Sequence, residues 1–133
     1  GRFSATVAGR LANKHAELGD LYAEADGLRE AEEQYRRACE IRPRFLDLRN
    51  KLARTLLDLG RPSDAIRELR SILKANPSFL IARMNLGLAL FKEGHAQAAE
   101  EEWTRCLAQQ PGNAQVTGYL GMLRRQKDAS PGD

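Results

Sequence analysis

The chain has 133 residues and a formal net charge of +3, with 29% charged and 6% aromatic residues. That length makes one domain, and no stretch is apolar for long enough to span a bilayer or act as a secretory signal. His15 and His95 lack a cysteine or second histidine at metal-ligand spacing, and no glycine-rich phosphate loop or nucleophile elbow occurs, which argues against metal, nucleotide and acyl-transfer chemistry.

In chain order, Phe3, Val7 and Leu11 stand at helical spacing, so residues 1–11 are expected to be a helical extension or the remnant of a preceding unit's second helix. A start on Gly rather than Met favours a fragment or a processed chain. Next, His15, Leu18, Gly19 and Tyr22 fall on one stripe of a helix, which predicts an internal seam and a helix over 12–25. The same reasoning predicts helices over 28–41, 46–59, 62–75, 80–93, 96–109 and 114–126. Gly60 and Gly94 supply helix stops, with Gly27 in the corresponding turn of the first unit, and Pro62 suits a first helical position. Pro43, Pro77 and Pro111 each follow a second helix, because proline disfavours helix in the residue before it and lacks an amide donor. Asn113 opens the last helix as a cap. Residues 114–126 form a capping helix or the start of a fourth unit, and 127–133 a flexible tail.

These elements repeat every 34 residues: Leu18, Leu52 and Leu86; Ala31, Ala65 and Ala99; Pro43, Pro77 and Pro111. Written as 12–45, 46–79 and 80–113, the copies align without a gap. A small residue follows each leucine (Gly19, Ala53, Gly87), and a bulky one stands four after each alanine (Tyr35, Leu69, Trp103). The small residue admits close approach of the two helices, while the alanine and the bulky residue fill the facing holes. The pattern resembles the tetratricopeptide repeat, with three full repeats over 12–113 and a fourth start at Leu120-Gly121. The resemblance implies an all-α, right-handed superhelical solenoid of antiparallel helix pairs, a protein-binding scaffold with no enzymatic activity and no cofactor.

Cys39 and Cys106 sit on second helices of different units and read as reduced, small apolar packing residues. Residues 12–40 hold eight acidic and four basic side chains and 41–75 hold nine basic and four acidic, an asymmetry suited to orienting a partner, joining copies, or simply facing water. Basic residues are scattered among acids without interleaved aromatics, which excludes nucleic acid as the expected partner. Direct membrane insertion is likewise not expected, and a soluble compartment such as the cytoplasm is. A composition heavy in Arg, Ala and Leu and light in Lys has a bacterial style.

In the family, first helices line a concave groove. Carried over, the resemblance implies a partner-binding groove of Asn13, Asp20 and Glu24 in unit one, Asn50 and Arg54 in unit two, Ile81, Met84, Leu88 and Phe91 in unit three, and Met122 and Arg125 in the last helix. Members that hold acidic chaperone carboxy-terminal tails carry Lys, Arg and Asn at the fifth and ninth positions of successive first helices. Here those positions are Ala16 and Asp20, Asn50 and Arg54, and Met84 and Leu88, so only the middle pair fits and such a tail is not the expected ligand. The apolar strip suits an amphipathic helix or extended segment with a basic flank. The alternative is a self-assembly module that forms homo-oligomers through groove or end surfaces.

Overall fold

The computed structural model describes the backbone of residues 2–129 and the side chains of residues 6–129. Among them are seven helices and no strand: α1 (Arg2–Glu24), α2 (Leu28–Ile41), α3 (Leu46–Asp58), α4 (Pro62–Ala75), α5 (Leu80–Lys92), α6 (Ala96–Gln109) and α7 (Ala114–Ala129). Each packs on the next, and α3 also touches α5, the neighbour pattern of a solenoid. The predicted helices match these to within a residue or two, except at the two ends. There α1 is continuous from Arg2, and α7 runs three residues beyond 126; of the expected tail, residues 130–133 lie outside the described part.

The same turn ends α1, α3 and α5. The amides of Gly27, Arg61 and His95 reach back to the carbonyls of Tyr22, Leu56 and Leu90 at 2.7, 2.9 and 2.8 Å, with a left-handed residue just before each amide. That residue is Gly60 (φ 77°) and Gly94 (φ 90°) in units two and three, but Asp26 (φ 62°) in unit one. The sequence reading assigned that turn to Gly27, which lies one place later at the α2 N-terminus with φ −87°. After α2, α4 and α6, the amides of Phe45, Phe79 and Asn113 bond to the carbonyls of Arg42, Asn76 and Gln110, each at 3.1 Å, closing a turn with proline second. Asn113 then caps α7, its Oδ1 accepting from the Val116 amide at 2.9 Å.

Between the helices runs one core in which Leu69 and Trp103 are wholly buried and Tyr35 almost so. Three expectations for the seam of α1 do not hold. Leu18 is 43% exposed although its repeat mates Leu52 and Leu86 are 3% and 4% exposed, and Tyr22 is exposed as well. The reason is positional: α2 covers this face of α3 and α4 covers it on α5, whereas among the described residues no helix covers it on α1. His15, expected at a large core position, is only partly buried and shares a 2.7 Å hydrogen bond between its Nδ1 and Gln34 Oε1.

Candidate functional site

First helices α3, α5 and α7 present residues into a common cleft of about 660 Å³. Its centre is polar. Arg54 Nη1 donates to Asn85 Oδ1 at 3.2 Å, and Asn85 Nδ2 donates to Asn50 Oδ1 at 3.2 Å, so the guanidinium and two amides form a chain from α3 to α5. Arg54 is further tied to Asp58 at 3.3 Å. Asn85 is buried among apolar neighbours, where an amide without partners would be costly. Around this chain lie Leu80, Ile81 and Met84 of α5, and Gln115 and Tyr119 of α7, with Gln115 Nε2 donating to the Tyr119 hydroxyl at 2.8 Å. Tyr119 stacks on Trp103, centroids 4.9 Å apart, which fixes that wall to the core.

At the unit-one end, Lys51 Nζ donates to both carboxylate oxygens of Asp20 at 3.0 Å, and the Tyr35 hydroxyl donates to Asp20 Oδ1 at 2.6 Å. Burial alone would raise the Asp20 pKa, but the hydrogen bond from Tyr35 and the Lys51 ammonium outweigh it and hold the carboxyl below its ordinary value. Burial first, then the bond to Asp20, raises the pKa of the Tyr35 hydroxyl. Farther out, Arg61 of unit two donates to Glu32 of unit one at 3.0 Å, so acidic and basic units neutralise one another inside one molecule.

Of the eleven residues expected in the groove, Asn50, Arg54, Ile81 and Met84 line this cleft. Met84 is buried in its floor rather than projecting, with Asn113 Nδ2 at 3.8 Å from its sulfur. Asp20 borders the cleft through Lys51 and Tyr35. Asn13, Glu24 and Arg125 are exposed outside it. Leu88, Phe91 and Met122 pack against the core, Phe91 facing the Trp103 ring at 6.4 Å, so the expected continuous apolar strip is split. Phe91 belongs instead to a second cleft, about 1050 Å³, between α6 and α7, where Glu100, Glu101, Arg124 and Lys127 surround Leu120. The residues that sequence reasoning missed are Lys51, Asn85 and Tyr119, all sixth in their units. Asn85 carried a readable signal, as the one amide in the otherwise apolar run from Met84 to Phe91.

The arrangement offers hydrogen-bond donors and acceptors beside apolar surface. Among the described residues, no three His, Cys, Asp or Glu side chains gather as for a metal, and no helix is long and apolar enough to cross a membrane.

Residues 50–114 match the family model described as Tetratricopeptide repeat. The human and bovine proteins named DnaJ homolog subfamily C member 3 are each 28% identical over 98 residues; the match covers 74% of this chain but the chain spans only 19% of theirs. Among solved structures, the first TPR domain of Spaghetti (RPAP3) bound to the HSP90 peptide SRMEEVD superposes with a TM-score of 0.83 at 21% identity, over 90% of this chain and 95% of that one. YrrB, described as a TPR protein with an unusual peptide-binding site, superposes with a TM-score of 0.74 at 23% identity, over 90% of this chain and 62% of that one. These likenesses establish the fold.

Proposed function

The chain belongs to the tetratricopeptide-repeat family, and from that premise we propose that its cleft between α3, α5 and α7 receives a segment of a partner protein. A chain of this fold is a protein-interaction scaffold, and we read it as having no chemistry of its own. The observation that carries the proposal is the Asn50–Asn85–Arg54 chain set beside Ile81, which stays 58% exposed. Amide groups recognise a peptide backbone or polar side chain, and an exposed aliphatic residue beside them anchors an apolar one. An amphipathic segment fits that pairing.

An acidic chaperone tail is not the ligand in this reading. Lys51 is engaged by Asp20 and Arg54 by Asp58 and Asn85, so the two cations at the cleft already carry carboxylate or amide partners. A terminal carboxylate needs several free donors.

The test uses Ile81→Glu, whose side chain is exposed enough to leave melting unchanged. Proteins captured by the native chain from a lysate should be lost with this variant, while Asn13→Ala, outside the cleft, should retain them. Capture that persists with Ile81→Glu would defeat the proposal. A synthetic acidic tail peptide titrated onto the native chain should show no saturable binding, and micromolar binding would overturn that part of the reading.

A further inference from the structure

Five of the seven large apolar residues exposed on the described surface lie on one helix: Val7, Leu11, Leu18, Leu21 and Tyr22 of α1. Val7, Leu11, Lys14, Leu18 and Leu21 are spaced four, three, four and three residues apart, the repeat of a coiled-coil seam, with one lysine at an inner place. This stripe is separate from the side of α1 that carries Ala12 and Gly19 into the interior. Leu21 is 61% exposed, while the residues at its place in units two and three, Thr55 and Ala89, are buried by α2 and α4. The face is thus a helix-packing seam by its repeat position and by its spacing.

We propose that a second copy of this chain covers the seam, with the two α1 helices packed antiparallel about a twofold axis. The charges beside the stripe select the occupant and its direction. On one flank, Arg10, Glu17 and Glu24 follow at seven-residue intervals; on the other, Ala8, His15 and Tyr22 do. Antiparallel packing that sets Leu11 against Leu21 of the second copy also sets Arg10 beside Glu24 of that copy, twice, and brings the two Glu17 carboxylates together once at the axis. Lys14, 3.8 Å from its own Glu17, then lies over Leu18 of the second copy, its stem covering the leucine and its ammonium between the two Glu17 carboxylates. The two lysines offset that one like-charge contact, which leaves the two Arg10–Glu24 pairs as the net attraction. Parallel packing would instead place Arg10 beside His15 and Glu17 beside Tyr22, with no pair of opposite charges. One self-complementary helix face is what a twofold contact requires. The cleft of the proposed function is not used, so either reading can fail alone.

Sedimentation equilibrium of the 133-residue chain decides it. The native mass should rise from one chain to two with concentration. Leu11→Glu with Leu21→Glu should keep it at one, and at dilutions where the native chain is itself a monomer the two should melt together, because both side chains are exposed. Arg10→Glu and Glu24→Arg should each weaken the dimer at least tenfold, and an equimolar mixture should form mixed dimers, since both pairings are then restored. A native chain that stays monomeric at millimolar concentration overturns the proposal. So does a dimer that neither charge variant weakens, which would place the contact elsewhere. Ile81→Glu should leave the mass unchanged.

Discussion

Gly87 lies against the indole of Trp103, whose Nε1 donates to the Met84 carbonyl at 3.1 Å. The pair joins α5 and α6, the two helices of unit three. A Cβ at position 87 would overlap the indole ring atoms, and the wholly buried ring has no room to retreat. Gly87→Ala should therefore cost about 2–4 kcal/mol, from overpacking together with the lost indole bond. In α7 the equivalent Gly121 meets only the movable Arg125 guanidinium at 3.4 Å, so Gly121→Ala should gain up to about 1 kcal/mol from helix propensity. Urea unfolding of the two variants checks this, and equal effects would refute it.

Arg83 Nη1 donates to Glu102 Oε1 at 2.6 Å, and one unit earlier Arg49 donates to Glu68 at 3.2 Å. With His15 and Gln34, these make a ladder of polar pairs that clasps each first helix to its second. The Arg83 and Glu102 side chains are only 15% exposed, so their attraction is less screened than that of a surface pair. A double-mutant cycle with Arg83→Ala and Glu102→Ala should give a coupling of about 1–2 kcal/mol, and the same cycle at Arg49 and Glu68 a smaller one. A coupling below about 0.3 kcal/mol at Arg83 and Glu102 would show the ladder to be ornamental.

The periodic part of this structure was legible because each repeat mate experiences the same neighbours. Small residues opposite bulky ones and prolines after second helices follow from local rules, and they appear three times. What was not legible depends on neighbours that periodicity cannot count. Leu18 has the sequence of a buried position and is exposed, since among the described residues no helix covers that face of α1. Likewise Phe91 and Met122 matched groove positions by number yet pack on the core, Phe91 beside the Trp103 ring. The polar chain through Asn85 was missed because its side-chain partner groups are 31 and 35 residues away.

The two thiols predict an alkaline weakness. Burial raises Cys106 from an ordinary 9.0 to about 11, with Arg83 partly offsetting, and burial likewise raises Cys39 to about 11. Below pH 9 both folded and unfolded chains hold the thiol protons. Between pH 9 and 11 the unfolded chain releases them while the folded chain keeps them, so the unfolded state binds fewer protons and stability falls as pH rises. For the wholly buried Cys106 the loss should be on the order of 2 kcal/mol. Unfolding free energies at pH 7, 9 and 11 should fall less steeply for Cys106→Ala than for the native chain. Parallel slopes would count against the argument.

Asp26 holds the left-handed turn of unit one that glycine holds in units two and three. A side chain in that conformation costs about 1 kcal/mol relative to glycine, and aspartate is among the residues that tolerate it best. Its carboxylate also sits at the end of α1, where the helix dipole is negative and no basic residue occupies the last turn. Nothing in the turn needs the side chain, for the closing bond runs from the Gly27 amide to the Tyr22 carbonyl. Asp26→Gly should therefore stabilise the chain by about 0.5–1 kcal/mol, even though glycine gives the unfolded chain more freedom. Gly60→Ala and Gly94→Ala should each destabilise it by about 1 kcal/mol, because both positions are strained for a side chain though open in space. Thermal unfolding of the three variants is the check. A lower midpoint for Asp26→Gly would mean that unfolded-state entropy outweighs the turn, and that the unit-one turn is not limited by its left-handed residue.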